Sequence, residues 1–532
     1  MWTPQGILLS VAVGCIAPAP SLFAQTPGTF SPVGNMTTAR SFHTATLLHD
    51  GRVLIAGGGD RPVSAEIYDP VTATFSATAD MTTARRWHQA TLLDDGRVLV
   101  TGGDLFTGSA PRKSTAEVFD PSSNTFAPTG DMVNVQIGAT ATALNNGKVL
   151  IAGGITSVCC AGPIPAPSPV ANPELYDPST GAFTVTGKFQ STGDGFFVTG
   201  GPNVSAATLL PDGRVLIAGE PSSEVYDPIS GTFSLTGAMA TRCFGGGSPQ
   251  YIAGRTATVL TTGQVLMAGG EHEDCGRFDD AELYDAAKSL FTPTGHMARV
   301  RDNHTATLLP DGTVLITGGE SEDCFRGGCE FSGTDASTEI YNPAAGTFAS
   351  GGNMSARRAG HTATLLTNGS VLITGGYAYG GIGSYTCCFA SAELYTPKAL
   401  VAPPTLFSLS GDGKGPGAIV HAGTARVSWP TRTIVGEIAS SSDPAVPGEA
   451  LEIYGTDLSD GSSRIRPVVT IGGRRATIVS VANGPGSASL SHVIVRVPGG
   501  IAPGSAVPVR LIYLGRPSNE VTVSVTMTSP QF

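Results

Sequence analysis

Short apolar runs broken by glycine corners set the pattern of this chain, and they predict strands throughout. Polar and apolar residues alternate from Thr44 to Leu48, an Asp-Gly corner follows at Asp50-Gly51, and the run from Arg52 to Ala56 is apolar after its first residue. Gly57-Gly58 ends that run, Ala65 to Tyr68 begins another, Asp69-Pro70 turns the chain, and a last short strand centres on Phe75. Asp-Gly between short β-rich runs marks a hairpin, because glycine accepts the positive φ that the turn requires. The unit therefore reads as a four-stranded meander of strands a, b, c and d.

This unit recurs seven times. Its a-b turn glycines are Gly51, Gly96, Gly147, Gly213, Gly263, Gly312 and Gly369, spaced 45 to 66 residues apart. A repeat of this length marks a stacked or radial array in which no copy buries its apolar faces alone. Strand d carries a phenylalanine followed six residues later by a methionine, as in Phe75/Met81, Phe126/Met132, Phe233/Met239, Phe291/Met297 and Phe348/Met354; Phe189 stands for the methionine after Phe183. A further copy, Phe30/Met36, precedes the first unit, and the last unit stops at Tyr395 without a d strand. The orphan strand fits the vacancy. The fold expected is all-β, a seven-bladed propeller whose last blade takes its outer strand from the N-terminal end and so leaves no free edge at the seam.

The diglycine after an apolar strand, the downstream Glu66-Ile67-Tyr68-Asp69-Pro70 and the aromatic on the outer strand resemble the kelch repeat over residues 28 to 397. The resemblance implies the propeller. It implies no single function, since kelch propellers serve as enzymes, adhesins and scaffolds.

From about Lys398 the repeat stops. A Pro/Gly-rich join (399–416) leads into short alternating runs such as Ala450 to Tyr454 and His492 to Val497, which read as a small β-sandwich over 417–532. The segments 441–458, 469–481 and 495–511 resemble immunoglobulin-like modules of the IPT/TIG type found at the ends of secreted bacterial proteins. Such modules serve as spacers or adhesive domains.

Composition changes the picture in two ways. With 70 glycines, 38 prolines and 14% charged residues in 532, the chain is turn-rich with ample core. A net charge of −11 argues against nucleic acid or an anionic membrane as partner. The apolar run Ile7 to Ala17 with small Ala24 before Gln25 reads as an export signal over residues 1–24, so the propeller is assigned 25–398 and the protein is expected to be secreted, with periplasm or cell surface as alternatives. Val13-Gly14-Cys15 leaves a lipoprotein reading open. No transmembrane segment is expected, and the chain is read as a monomer.

In an up-down blade the a-b and c-d turns share one face, and the b-c loops and d-a crossings share the other. The first set is uniformly tight; the length variation lies in the second, where binding residues on a rigid scaffold usually sit. Aromatics absent from the repeat gather there: Phe106, Phe196, Phe197, Phe325, Tyr377, Tyr379 and Tyr385. Beside them stand Glu220, Glu271 and Glu320, which depart from the template, and Arg255, which replaces a repeated histidine. Aromatic faces with carboxylates suit a carbohydrate or a protein partner. Cys159, Cys160, Cys243, Cys275, Cys324, Cys329, Cys387 and Cys388 all fall on these loops, an even set that in an exported chain implies disulfides, with Cys243–Cys275 and Cys324–Cys329 the natural pairs.

His43, His88, His304 and His361 occupy one position in four neighbouring blades, each inside an R-x-x-H unit. A metal arc and blade-to-blade contacts are the two readings, and the spacing of equivalent positions in a seven-bladed ring favours the contacts. Glu66, Glu117, Glu174, Glu224, Glu282, Glu339 and Glu393 recur in every blade and read as scaffold. A propeller followed by an immunoglobulin-like domain also resembles galactose oxidase and its copper-radical relatives, which implies copper held by two tyrosines and two histidines. The chain has no Tyr-His dipeptide of that family, and nothing matches around His421 or His492. The main reading is a non-catalytic binding protein with no cofactor, no metal and no catalytic residue; the alternative is such an oxidase.

Overall fold

The computed structural model describes residues 27–526 except 60–61, 104–114, 135–136, 155–171, 191–202, 221, 240–251, 273–275, 326–327, 380–384, 409–413, 423–425, 429–432, 436–438, 440–442, 457, 459–464 and 484–490. Seven four-stranded antiparallel sheets dominate it. In the first, β2 (Thr44–Leu47), β3 (Val53–Ala56), β4 (Ala65–Asp69) and β5 (Thr74–Ala77) follow in chain order. Leu47 pairs with Val53 across the a-b turn, and Gly51 takes φ +88° there, a conformation that would strain an L side chain. The innermost strands lie against one another in sequence, from Thr44–Leu47 through Gln89–Leu92, Thr140–Ala143, Asn203–Leu209, Thr256–Val259 and Thr305–Leu308 to Thr362–Leu365, and the last returns to the first. This is a closed β-propeller.

The seam is where the repeat placed it. The strand β1 (Thr29–Pro32) pairs antiparallel with Ala392–Thr396, setting Phe30 opposite Tyr395 with ring centroids 5.1 Å apart. Met36 is buried in the core between the closing sheet and the first, beside Val53, Ile55 and Leu372. Each of the other methionines at this spacing does the same work one blade on: Met81 joins Leu54 and Ile67 of one sheet to Val98, Val100 and Phe119 of the next. The cores therefore lie between blades, which is why no blade is stable alone.

Buried charge reinforces each blade. Arg40 Nε donates to Glu66 Oε1 at 3.0 Å with both side chains 0% exposed, and Arg40 Nη1 donates to the carbonyls of Gly57 and Ser64. Glu66 Oε2 accepts the Thr37 amide at 2.7 Å, so one carboxylate fixes the crossing that leads into the inner strand. Arg85–Glu117, Arg301–Glu339 and Arg358–Glu393 repeat the pair at 2.9, 3.0 and 3.2 Å. Blade 3 lacks the arginine, and Asn134 Nδ2 donates to Glu174 instead. In blade 5 Arg255 reaches the Gly269 carbonyl at 2.8 Å and stands 3.9 Å from Glu282. Removing one partner leaves a charge buried without its counterpart, so Glu66→Ala is expected to cost about 3–5 kcal/mol in urea melts; a change under 1 kcal/mol would show that the pair is dispensable.

The C-terminal part forms two five-stranded sheets around one core. Ile453, Val493 and Val495 from one sheet meet Val469, Val509 and Leu511 from the other. Thr405–Leu406, within the stretch read as a join, pairs with Thr456 and Gly455 and buries Leu406 in that core. The module seats on the tight-turn face of the ring through arginines. Arg475 Nη2 donates to Asp94 at 2.9 Å and its Nη1 to Asn145 at 3.1 Å, while Arg516 Nη1 donates to the carbonyls of Val401 and Thr367. Arg510 lies beside His49 in the turn of the first blade. Among the described residues these contacts lie on the tight-turn face, opposite the long loops. Among the described residues no helix is long and apolar enough to cross a membrane.

Candidate functional site

The residue just before each ring histidine, or its equivalent, enters the inner strand from the long-loop face. Six of these residues hold a left-handed backbone: Phe42 (φ 54°), Trp87 (53°), Gly138 (68°), Gly254 (66°), Asn303 (50°) and Gly360 (58°). Glycine and asparagine adopt this conformation readily; phenylalanine and tryptophan do so at a cost of order 1–3 kcal/mol. The two aromatics are neighbours around the ring, with centroids 5.2 Å apart, and Arg86 places its guanidinium 4.3 Å over the Trp87 ring.

From Phe42 the contacts run on. Its ring lies 5.2 Å from that of Tyr377, which meets Tyr379 edge-on at 5.8 Å. A Cβ on Gly360 would stand 2.8 Å from Tyr377 Cε1 and 3.0 Å from Phe42 Cε1, so the glycine makes room for both rings. The Tyr377 hydroxyl donates to Glu320, Glu320 accepts from Arg277 Nη2, and Arg277 Nε donates to Asp302. Glu271 lies 3.5 Å from the same guanidinium. Asp302 and Glu320 exchange backbone hydrogen bonds, which locks the blade 6 crossing to the start of its b-c hairpin. The result is one contiguous arc over five blades, aromatic at one end and charged at the other.

Electrostatics within the arc are unbalanced. One guanidinium serves three carboxylates, and Asp302 is 1% exposed. Burial, followed by the nearby Glu320 charge, pushes the Asp302 carboxyl up to about 7 against the pull of Arg277. Tyr377 is held well above the ordinary phenol range by burial and by Glu320. The arginine stays charged, since Asp302, Glu271 and Glu320 outweigh the penalty of its burial.

The ring histidines lie outside the arc. His43 Nε2 shares hydrogen bonds with Thr374 and Thr362, His88 with Thr44, His304 with Thr256 and His361 with Thr317, each in the preceding blade. Burial, then the adjacent arginines, holds His88, His304 and His361 down near 3 and His43 well below its ordinary value.

Of the residues singled out from sequence, Tyr377, Tyr379, Glu271 and Glu320 come together here. Arg255 is 5% exposed and turned inward to Gly269, so it substitutes for the blade's missing arginine rather than facing a ligand. Phe106, Phe196, Phe197, Cys159, Cys160, Cys243 and Cys275 lie outside the described residues, as do the side chains of Glu220, Phe325 and Tyr385. Cys324 pairs in register with Cys329 across the hairpin Glu320–Phe325/Gly328–Thr334, and buried Cys388 lies 3.3 Å from Ser41 Oγ. Sequence reasoning missed Phe42, Trp87, Arg277 and Asp302. For the first two a signal existed, because aromatics stand where other blades carry glycine.

No family model matches the chain, and no curated protein does. Among solved structures it is similar to a fungal alcohol oxidase of the AA5 family in complex with copper, with a TM-score of 0.57 and 17% identity, over 94% of this chain and 100% of that one. The likeness is one of fold. The described side chains do not assemble two tyrosines and two histidines around one point: the ring histidines direct Nε2 to threonines, the Tyr377 hydroxyl donates to Glu320, and Tyr454 with His492 belongs to the C-terminal module. Asp279, Asp280 and His296 are the one group of three potential ligand side chains among the described residues, and it lies at the surface of blade 5.

Proposed function

We propose that the long-loop face of this propeller binds a hydroxyl-bearing ligand, a carbohydrate before a protein partner, in an exported protein of kelch-like blades and an immunoglobulin-like module. The observation that supports this is the arc itself, in which aromatic faces from Trp87 to Tyr377 adjoin fixed carboxylates and a guanidinium. Apolar rings accept the C–H faces of a sugar, and carboxylates accept its hydroxyls. Tyr379→Ala and Glu320→Gln are each expected to weaken a glycan found by array screening about tenfold, near 1.4 kcal/mol, while Asp212→Asn on the opposite face leaves affinity unchanged. A ligand sensitive to Asp212 and indifferent to Glu320 would reverse the assignment of faces.

A second reading is an oxidase acting on an alcohol with copper. The fold likeness to a copper alcohol oxidase favours it over a purely structural role, and it uses the same class of ligand on the same scaffold. Elemental analysis of protein produced in copper-supplemented medium, together with oxygen uptake on the alcohols that bind, separates the two. Stoichiometric copper with turnover establishes the oxidase; binding without either leaves the lectin-like reading.

A further inference from the structure

We infer that Asp279, Asp280 and His296 form a site for one divalent transition-metal ion of the zinc type, on the long-loop side of blade 5. His296 Nδ1 lies 3.0 Å from Asp280 Oδ1 and 3.6 Å from Asp279 Oδ1. Donors held about 2.1 Å from a tetrahedral or octahedral ion stand roughly 3.0 to 3.4 Å from one another, so these separations suit ligands around a single ion. Two carboxylates balance its double charge. The imidazole supplies the nitrogen that zinc, nickel and copper accept, whereas calcium and magnesium take oxygen. A patch of carboxylates alone has no such donor.

The backbone shows that the fold does not itself ask for these side chains. The Asp279 carbonyl accepts the Met297 amide at 2.9 Å, and the Asp280 carbonyl accepts the Gly269 amide at 3.0 Å. The same two bonds are made by Val63 and Ser64 in blade 1, by Ala336 and Ser337 in blade 6, and by Ala390 and Ser391 in blade 7. The residue before the methionine, His296 here, is Asp80, Asn353 and Asn35 in those blades. Of these four blades only blade 5 places metal-ligating side chains at all three positions. Consecutive side chains of an extended chain point to opposite faces, yet both carboxylates turn to one imidazole. The shared backbone bonds hold the three residues in place before an ion arrives, which lowers the ordering cost of binding. All three side chains are partly open to solvent, so coordination positions remain for water or a ligand oxygen. Arg277 stands just upstream of Asp279, and an ion here braces the segment that carries the charged end of the arc.

The test titrates Zn2+ into the chelator-treated full chain by calorimetry, with Mg2+ and Ca2+ as competitors. The wild type is expected to take up one Zn2+ that His296→Gln, Asp279→Asn and Asp280→Asn each weaken at least tenfold, while the metal-free Tm of each variant stays within a degree or two. Saturating Zn2+ is expected to raise the Tm of the wild type by a few degrees and to leave that of the variants unmoved. Equal ion count and affinity in the wild type and all three variants overturns the site. So does displacement of Zn2+ by Ca2+ or Mg2+ at equal concentration, which is the behaviour of an acidic surface. A wild type that binds no Zn2+, with metal-free variants that lose several degrees, shows an ion pair only and overturns it as well.

Discussion

Taken from pH 6.5 toward pH 4, the protein is expected to lose stability steeply and to unfold cooperatively within that interval. His88, His304 and His361 are held near 3 in the folded chain, and His43 well below 6.5, because each imidazole is buried beside an arginine. Their Nδ1 atoms are buried with no hydrogen-bond partner among the described residues, so a proton taken up there would meet no acceptor. The unfolded chain binds these protons near pH 6.5 and the folded one does not, so stability rises with pH across the interval and falls on acidification. At about 1.4 kcal/mol per pH unit for each group, three such histidines amount to on the order of 10 kcal/mol by pH 4, comparable with a whole domain's stability. His49, held near 4 by burial and then by Arg510, acts in the same direction. Asp302 opposes them, since a carboxyl raised to about 7 contributes stability that is present below that pH and lost above it; one group does not offset five. Melting curves from pH 4 to 8 should therefore peak between pH 6.5 and 7. His361→Gln, which keeps a partner for Thr317 and cannot ionise, should move the acid midpoint downward. A melting temperature that is flat from pH 7 to 4.5 would contradict the neutral, buried state of the ring histidines.

The second large effect concerns the seam. Without residues 27–36 the ring is expected to melt about ten degrees lower or more and to aggregate on refolding. The deletion removes the four residue pairs between Thr29–Pro32 and Ala392–Thr396, uncovers Tyr395, and empties the place of Met36 in the core between the first and last blades. Loss of Met36 and Phe30 packing costs about 4–6 kcal/mol, and Ala392–Thr396 becomes an open edge able to pair with another chain. A synthetic 27–36 peptide should restore part of the melting temperature. An unchanged transition would show that the seam bears no weight.

What the sequence revealed and what it concealed differ in range. Blade order, closure and the role of the repeated glutamates were legible, because Gly51, Glu66, Phe75 and Met81 recur with their neighbours at fixed offsets and each does a local or next-blade task. Arg277 was not legible. It stands on the short strand Gly276–Arg277 of a long b-c loop outside the seven-fold repeat, and its partners Asp302 and Glu320 lie 25 and 43 residues away. Docking of the C-terminal module was hidden for the same reason, since Arg475 finds Asp94 across 381 residues. Repetition encodes what every blade needs; the site is built from what single blades lack.

The arginine-seated module has a consequence for how the protein is presented. Because Arg475 and Arg516 hold it against the tight turns of the ring, it works as a pedestal. Anything that tethers the chain through that module, whether a cell envelope, a fusion partner or a sensor surface, fixes its orientation and leaves the aromatic and charged arc directed away from the support.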